Sequence, residues 1–173
     1  KIGIKNIINL ANSFGLGSKQ EFEEFPSLAI GSFGDNLLNI TNAYSAINNN
    51  GKIQSPSIIE KIESFNNQSI WTNKSISKKI LDLKVNKQIN KLLEKAVKEG
   101  TSRAASIKGK KIYGKTGTSD GNKDLWFIGS INNLTTGIWI GYDDNKESEL
   151  SSGNAAYLWK NFIAEIYKIP INK

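Results

Sequence analysis

Apolar residues recur at helical spacing at Ile4, Ile7, Ile8 and Ala11, so the chain is expected to open on a helix that Gly15 and Gly17 stop. No capping residue precedes Ile4, which implies a helix already running before residue 1. Glu21 to Glu24 reads as a solvated acidic patch, and residues 26–34 as a glycine-punctuated loop or short extended piece. A second helix is expected over residues 37–48, capped by Asp35 or Asn36, with Leu37, Ile40, Tyr44 and Ile47 on one face. Asn49-Asn50-Gly51 supplies the left-handed residues that end it. Residues 56–63 and 69–72 read as two short strands joined through Asn66-Asn67, within a small β insert spanning residues 53–80. Residues 78–85 follow neither period. A third helix is expected over residues 85–99, with Ile89, Leu92, Leu93, Ala96 and Val97 as its buried stripe and Gly100 at its end.

The pattern then changes from helical to extended. Ile112-Tyr113 leads into Gly114-Lys115-Thr116-Gly117-Thr118-Ser119, a polar turn follows at Asp120-Gly121-Asn122-Lys123, and two strongly apolar runs come next. These runs are Leu125-Trp126-Phe127-Ile128 and Gly137-Ile138-Trp139-Ile140-Gly141-Tyr142. Both are apolar at odd and even positions, whereas a sheet wetted on one side alternates. Helices on both faces of the sheet are therefore expected, in an α+β chain with a three-layer α/β/α arrangement. The connections are short, residues 130–136 for the second, which favours antiparallel hairpins over crossovers. A last helix over residues 154–167 follows Ser151-Ser152-Gly153, and Tyr157, Phe162, Ile163 and Ile166 are expected to cover one face of the sheet.

Composition narrows the chemistry. With 173 residues and 38% hydrophobic content, one domain or a large piece of one is expected. No apolar run reaches the roughly 18–20 residues of a membrane-spanning helix. Met is absent altogether, including at the start, which suggests part of a longer reading frame. Without Cys there is no disulfide, thiolate metal site or thiol nucleophile. Without His there is no Ser-His-Asp triad, and a zinc site would have to be all carboxylate. The general base of an enzyme built from this chain would be Lys, Glu or Asp. The formal charge of +7 comes from scattered lysines with no basic stripe among aromatics, so nucleic acid is not an expected partner.

Gly114 to Ser119 is where a cation, two glycines and several hydroxyls meet, and it admits three readings. Gly109 to Thr116 satisfies G-x-x-x-x-G-K-[ST], but a phosphate loop needs a preceding strand and a following helix, and neither is expected here. A plain scaffold strand with surface hydroxyls is the second reading. The third is the K-T-G strand of a serine acyltransferase.

The surroundings favour the third. Leu28-Ala29-Ile30-Gly31-Ser32, Ala43 to Gly51 with Pro56, and Gly100-Thr101-Ser102-Arg103-Ala104-Ala105 precede the strand. Asp124 to Gly129, Thr136 to Asp144, and Ser152 to Ala156 with Trp159 follow it. In this order the blocks resemble the C-terminal part of the transpeptidase domain of class A, bifunctional penicillin-binding proteins, over nearly all of residues 1–173. The resemblance implies the penicillin-binding-protein/β-lactamase-like fold and a serine D,D-transpeptidase that cross-links peptidoglycan stem peptides. The same serine is acylated by β-lactams, and no metal or organic cofactor is implied.

It assigns substrate binding to Lys115, Thr116, Gly117 and Thr118, and catalysis to Lys115 and to the backbone N–H of Thr118 as half of an oxyanion hole. Those residue types suit the task. A substrate ending in a carboxylate wants a cation and hydroxyl donors, and Gly117 lets a peptide backbone come close. Ser75-Ile76-Ser77-Lys78 fits S-x-x-K, but the family's nucleophile lies far earlier, so this chain is expected to hold none. Ser64-Phe65-Asn66, Ser130-Ile131-Asn132 and Ser152-Gly153-Asn154 fit S-x-N in the wrong places. The resemblance further implies a missing N-terminal part of the domain, an upstream glycosyltransferase domain, and an upstream anchor holding the protein at the outer face of the cytoplasmic membrane. Taken alone, the chain is expected to be inactive. The alternative is a degenerate, non-catalytic module that binds peptidoglycan or a partner.

Overall fold

The computed structural model describes residues 2–17, 22 and 24–170. Glu21 and Glu23 of the expected acidic patch lie outside them. Among the described residues the architecture is a three-stranded antiparallel sheet with helices on both faces, as the doubly apolar strands require. Helix α1 covers Ile4–Ser13 and α2 Leu37–Asn48. The small strands β1 (Lys52–Ile53), β2 (Lys61–Glu63), β3 (Ser69–Thr72) and β4 (Lys78–Lys79) follow. Then come α3 (Leu83–Glu99), the sheet strands β5 (Ile112–Thr118), β6 (Asp124–Ile131) and β7 (Leu134–Gly141), and α4 (Ser152–Ile166).

Several local expectations need correcting. Helix α1 starts at Ile4 instead of before residue 1, because Gly3 at φ 83° leaves the helical region. Pro26–Ile30 is a 3-10 turn, with Pro at its first position and Gly31 left-handed behind it. The first strand of the insert hairpin is only Lys61–Glu63, preceded by exposed Ile58 and Ile59. Residues 78–85 divide into β4 and the start of α3, where Asp82 turns its carboxylate to Lys79 (2.6 Å) instead of capping the helix. Leu92 is 69% exposed and leaves the stripe assigned to it on α3.

Helix α2 has the expected bounds. Asn36 is its cap, accepting from the Asn39 N–H at 2.9 Å, and Asn50 and Gly51 end it at positive φ. β1 pairs with β4, and β2 with β3, so residues 54–77 leave and return through one narrow neck. The β6–β7 connection is tighter than expected: Ser130 and Thr135 are already paired, and only Asn132 and Asn133 turn the chain.

Register sets the two faces of the sheet. Thr116 stands opposite Phe127, and Lys115 opposite Ile128. Phe127 meets Trp159 of α4 edge-on, with ring centroids 5.2 Å apart, so Thr116 and its parity face α4. The other parity faces α2: a Cβ on Gly137 would fall 2.3 Å from Thr41 Oγ1. Helix α4 buries Ala155, Ala156, Trp159, Ile163 and Ala164 against the sheet. Tyr157, Phe162 and Ile166, expected to cover the sheet, are instead about half exposed; of the expected set only Ile163 is buried. Small residues let α4 come close. Gly114 and Gly129 face each other across β5 and β6, and the aromatic rings fill the space that their side chains would take.

Candidate active site

Strand β5 borders β6 on one side, and its other edge is not paired to a strand among the described residues. Backbone parity decides what this edge offers. The Thr116 N–H donates to Ser102 Oγ at 3.2 Å, away from β6, whereas the Ser119 N–H donates to the Asp124 carbonyl at 3.1 Å, toward β6. Both groups of a residue in an antiparallel strand point the same way, and the direction alternates along the strand. The N–H and C=O of Thr118 therefore face the open edge together with those of Thr116.

Lys115 is exposed, and its ammonium bends over that edge to donate to the Thr116 carbonyl at 2.8 Å. Thr118 is exposed beside it, while Thr116 is only 7% exposed and shares a 2.7 Å hydrogen bond with the Thr101 hydroxyl. Gly117 leaves little room for anything else: a Cβ there would meet Trp126 Cβ at 3.2 Å. The four motif residues thus form one edge carrying a cation, an exposed hydroxyl and a free backbone N–H. That set can bind a carboxylate, pair with an extended peptide and stabilise an oxyanion.

Two supports stand around this edge. Beyond Thr118 the chain turns through Asp120–Asn122, where Gly121 adopts φ 68°. Asp124 clamps the turn. Its carboxylate accepts from Ser119 Oγ at 3.0 Å and Trp139 Nε1 at 2.9 Å, and its own N–H donates to Ser119 Oγ at 2.8 Å. Behind the strand, Ser102 is wholly buried, and its N–H donates to the Ala96 carbonyl at the end of α3. Lys111, just before β5, lies over the Tyr113 ring; Tyr113 first and Glu94 second hold its ammonium above the usual lysine range. Glu94 is held below the usual carboxylate range, chiefly by its hydrogen bond from Lys98.

Ser75 lies on the exposed link between β3 and β4, and Ser64-Phe65-Asn66 begins the β2–β3 turn. Ser130 is buried and bonded to Thr135 at 2.9 Å, and Ser152 opens α4. None of the four stands on β5. Sequence reasoning gave no role to Thr101, Ser102 or Asp124. The signal for the first two was a pair of hydroxyls directly after a helix-ending glycine, with only a short link to the strand. For Asp124 it was a lone acid opening an otherwise apolar strand. No group of His, Cys, Asp and Glu able to hold a metal ion occurs among the described residues, and no helix there is long and apolar enough to cross a membrane.

An antiparallel sheet between helices, with Lys-Thr-Gly-Thr on its open strand, defines the class as penicillin-binding and transpeptidase-like. The chain belongs to the penicillin-binding protein transpeptidase domain family, whose pattern it matches over residues 1–160. Among its relatives, penicillin-binding protein 1A of Rickettsia typhi is 35% identical over 169 residues, covering 84% of this chain and 21% of that protein. The chain thus spans about a fifth of the length of such relatives. The crystal structure of penicillin-binding protein 1A from Haemophilus influenzae shares the fold with a TM-score of 0.81 at 22% identity, over 99% of this chain and 32% of that one. Penicillin-binding protein A of Mycobacterium tuberculosis, as its imipenem acyl-enzyme complex, superposes with a TM-score of 0.72 at 20% identity, over 92% of this chain and 42% of its own.

Proposed function

We propose that this chain is the substrate-binding half of a serine D,D-transpeptidase that cross-links peptidoglycan stem peptides and is acylated by β-lactams. The observation that carries this reading is the open β5 edge, where exposed Lys115 and Thr118 stand beside backbone groups aimed away from β6. A stem peptide lies along that edge as an added strand, its terminal carboxylate at the hydroxyls of Thr116 and Thr118 and the Lys115 cation.

The nucleophile is a serine outside these 173 residues. Its oxygen attacks the penultimate D-Ala carbonyl, and the oxyanion that forms is held by the Thr118 N–H. One such donor contributes roughly 3–4 kcal/mol of transition-state stabilisation. Lys115 supports the proton transfer from the serine to the leaving D-Ala nitrogen. An amine of a neighbouring strand then displaces the serine from the ester, giving the cross-link and regenerating the hydroxyl. Imipenem forms an acyl-enzyme with the mycobacterial relative, and the same serine would be trapped here.

The β1–β4 neck supports reading residues 53–80 as an insert within the domain. The whole protein works in the cell envelope, at the outer face of the cytoplasmic membrane, anchored by a segment outside this chain. The test is Lys115→Ala in the full-length protein. Acylation by fluorescent penicillin should fall about a hundredfold, as for loss of a proton-transfer or electrostatic group. Unchanged acylation refutes the role of Lys115. A full-length wild-type protein that takes no label returns the domain to the non-catalytic module. The 173-residue chain alone is expected to stay unlabelled, and a stable labelled band would overturn the assignment of the nucleophile.

A further inference from the structure

Resting on that reading, we propose that Thr101 and Ser102 are positioning residues that fix where a ligand starts on the β5 edge. Helix α3 delivers them. The Ser102 N–H is tied to the Ala96 carbonyl in the last turn of α3 at 3.2 Å, so the loop holding both hydroxyls is an extension of that helix. Each hydroxyl engages Thr116. Ser102 Oγ accepts the Thr116 N–H at 3.2 Å, and Thr101 Oγ1 lies 2.7 Å from Thr116 Oγ1.

The edge is thereby split. At Thr116 the only N–H belongs to Ser102 and the carbonyl already accepts from Lys115, so an incoming strand finds no free donor there. Two residues on, the backbone of Thr118 faces the same edge. A ligand strand that needs both a backbone donor and an acceptor can therefore begin its ladder only at Thr118. Strand registers otherwise slip by two residues with side-chain facing preserved, and closure at Thr116 removes that alternative.

The hydroxyl pair adds direction. The 2.7 Å contact between Thr101 and Thr116 holds one proton, which either hydroxyl can donate, and Thr101 is exposed while Thr116 is buried. With Thr101 donating to Thr116, the Thr116 proton is left to point at an anion seated beside Lys115. Thr101 thus orients the hydroxyl that meets the ligand carboxylate, and Ser102 stops the ligand there.

The test compares benzylpenicillin with its methyl ester as acylating agents of the full-length protein. The ratio of their acylation rates isolates recognition of the carboxylate. Thr101→Val should lower that ratio about tenfold, the usual weight of a hydrogen bond to a charged group, and Thr101→Ser should restore it. A Thr101→Val, Thr116→Val double variant should lose no more than Thr116→Val alone, because the two hydroxyls act as one device. A rate loss equal for acid and ester, additive losses, or an unchanged ratio would each overturn the proposal. The underlying reading fails separately: if Lys115→Ala leaves acylation intact, β5 is not the site, whereas a Lys115 effect without a Thr101 effect sinks only this inference.

Discussion

At the scale of single residues, the tightest constraint on β5 comes from what is missing. A Cβ on Gly129 would stand 2.7 Å from Trp159 Cε2, and one on Gly114 2.5 Å from Phe127 Cζ. Gly129→Ala is expected to destabilise the protein by about 1–3 kcal/mol, as overpacking does, measured by urea unfolding. Trp159 is wholly buried, and its indole nitrogen has no hydrogen-bond partner. Trp159→Ala should cost about 3–5 kcal/mol, and Trp159→Phe clearly less, since it keeps most of the ring and removes an unpaired donor. Not all of this was legible in the sequence. Lys115, Gly117 and Thr118 were singled out by the K-T-G motif together with the blocks on either side of it. That the Thr116 hydroxyl turns toward Thr101 was not legible, because alternation along a strand says which residues share a face but not what waits opposite.

At the scale of elements, legibility followed the caps. Asn36 before α2 and Asn50-Gly51 after it bracket the helix, and its bounds emerge from local chemistry alone. Asn36→Ala should lower stability by about 1 kcal/mol, read as a lower midpoint in thermal unfolding. The half-buried Tyr44 on the same helix carries a pH prediction. Burial raises its ionisation above the usual value of 10.0. A group whose folded pKa is raised contributes stability that is whole below the unfolded value and lost as pH climbs through the folded one. Unfolding midpoints measured from pH 9 upward should therefore drop beyond about pH 10, and Tyr44→Phe should flatten that part of the fall. Helix α4 was harder to read. Its inward face is Ala155, Ala156 and Trp159, and its larger apolar residues Leu158, Phe162 and Ile166 point out. Of the residues the helical pattern put inward, only Ile163 is buried, because Gly114 and Gly129 leave a hollow that Trp159 fills while Ala155 and Ala156 let the helix come close.

At the scale of the whole molecule, the layered class was readable because β6 and β7 are apolar on both faces, and two apolar faces need two covers. What the pattern could not supply was the division between apolar surface buried within this chain and apolar surface left open. Leu158, Phe162 and Ile166 on α4, Leu83, Val85 and Leu92 on α3, and Ile58, Phe65 and Ile70 around the hairpin are all at least two-fifths exposed. Exposed apolar side chains are where a hydrophobic probe binds. The 173-residue chain should therefore bind a hydrophobic dye such as ANS more strongly, mole for mole, than the full-length protein does. Equal dye binding would mean that these residues stay open in the complete protein.

The facing glycines carry one more consequence. Because Phe127 and Trp159 occupy the hollow between Gly114 and Gly129, β5 rests on rings supplied by its neighbouring strand and by α4. A strand seated this way should lose its shape together with the packing of those two rings. On the reading of β5 proposed above, penicillin labelling of the full-length protein should hold nearly level with rising temperature and then vanish within the same few degrees in which the Trp159 environment is lost.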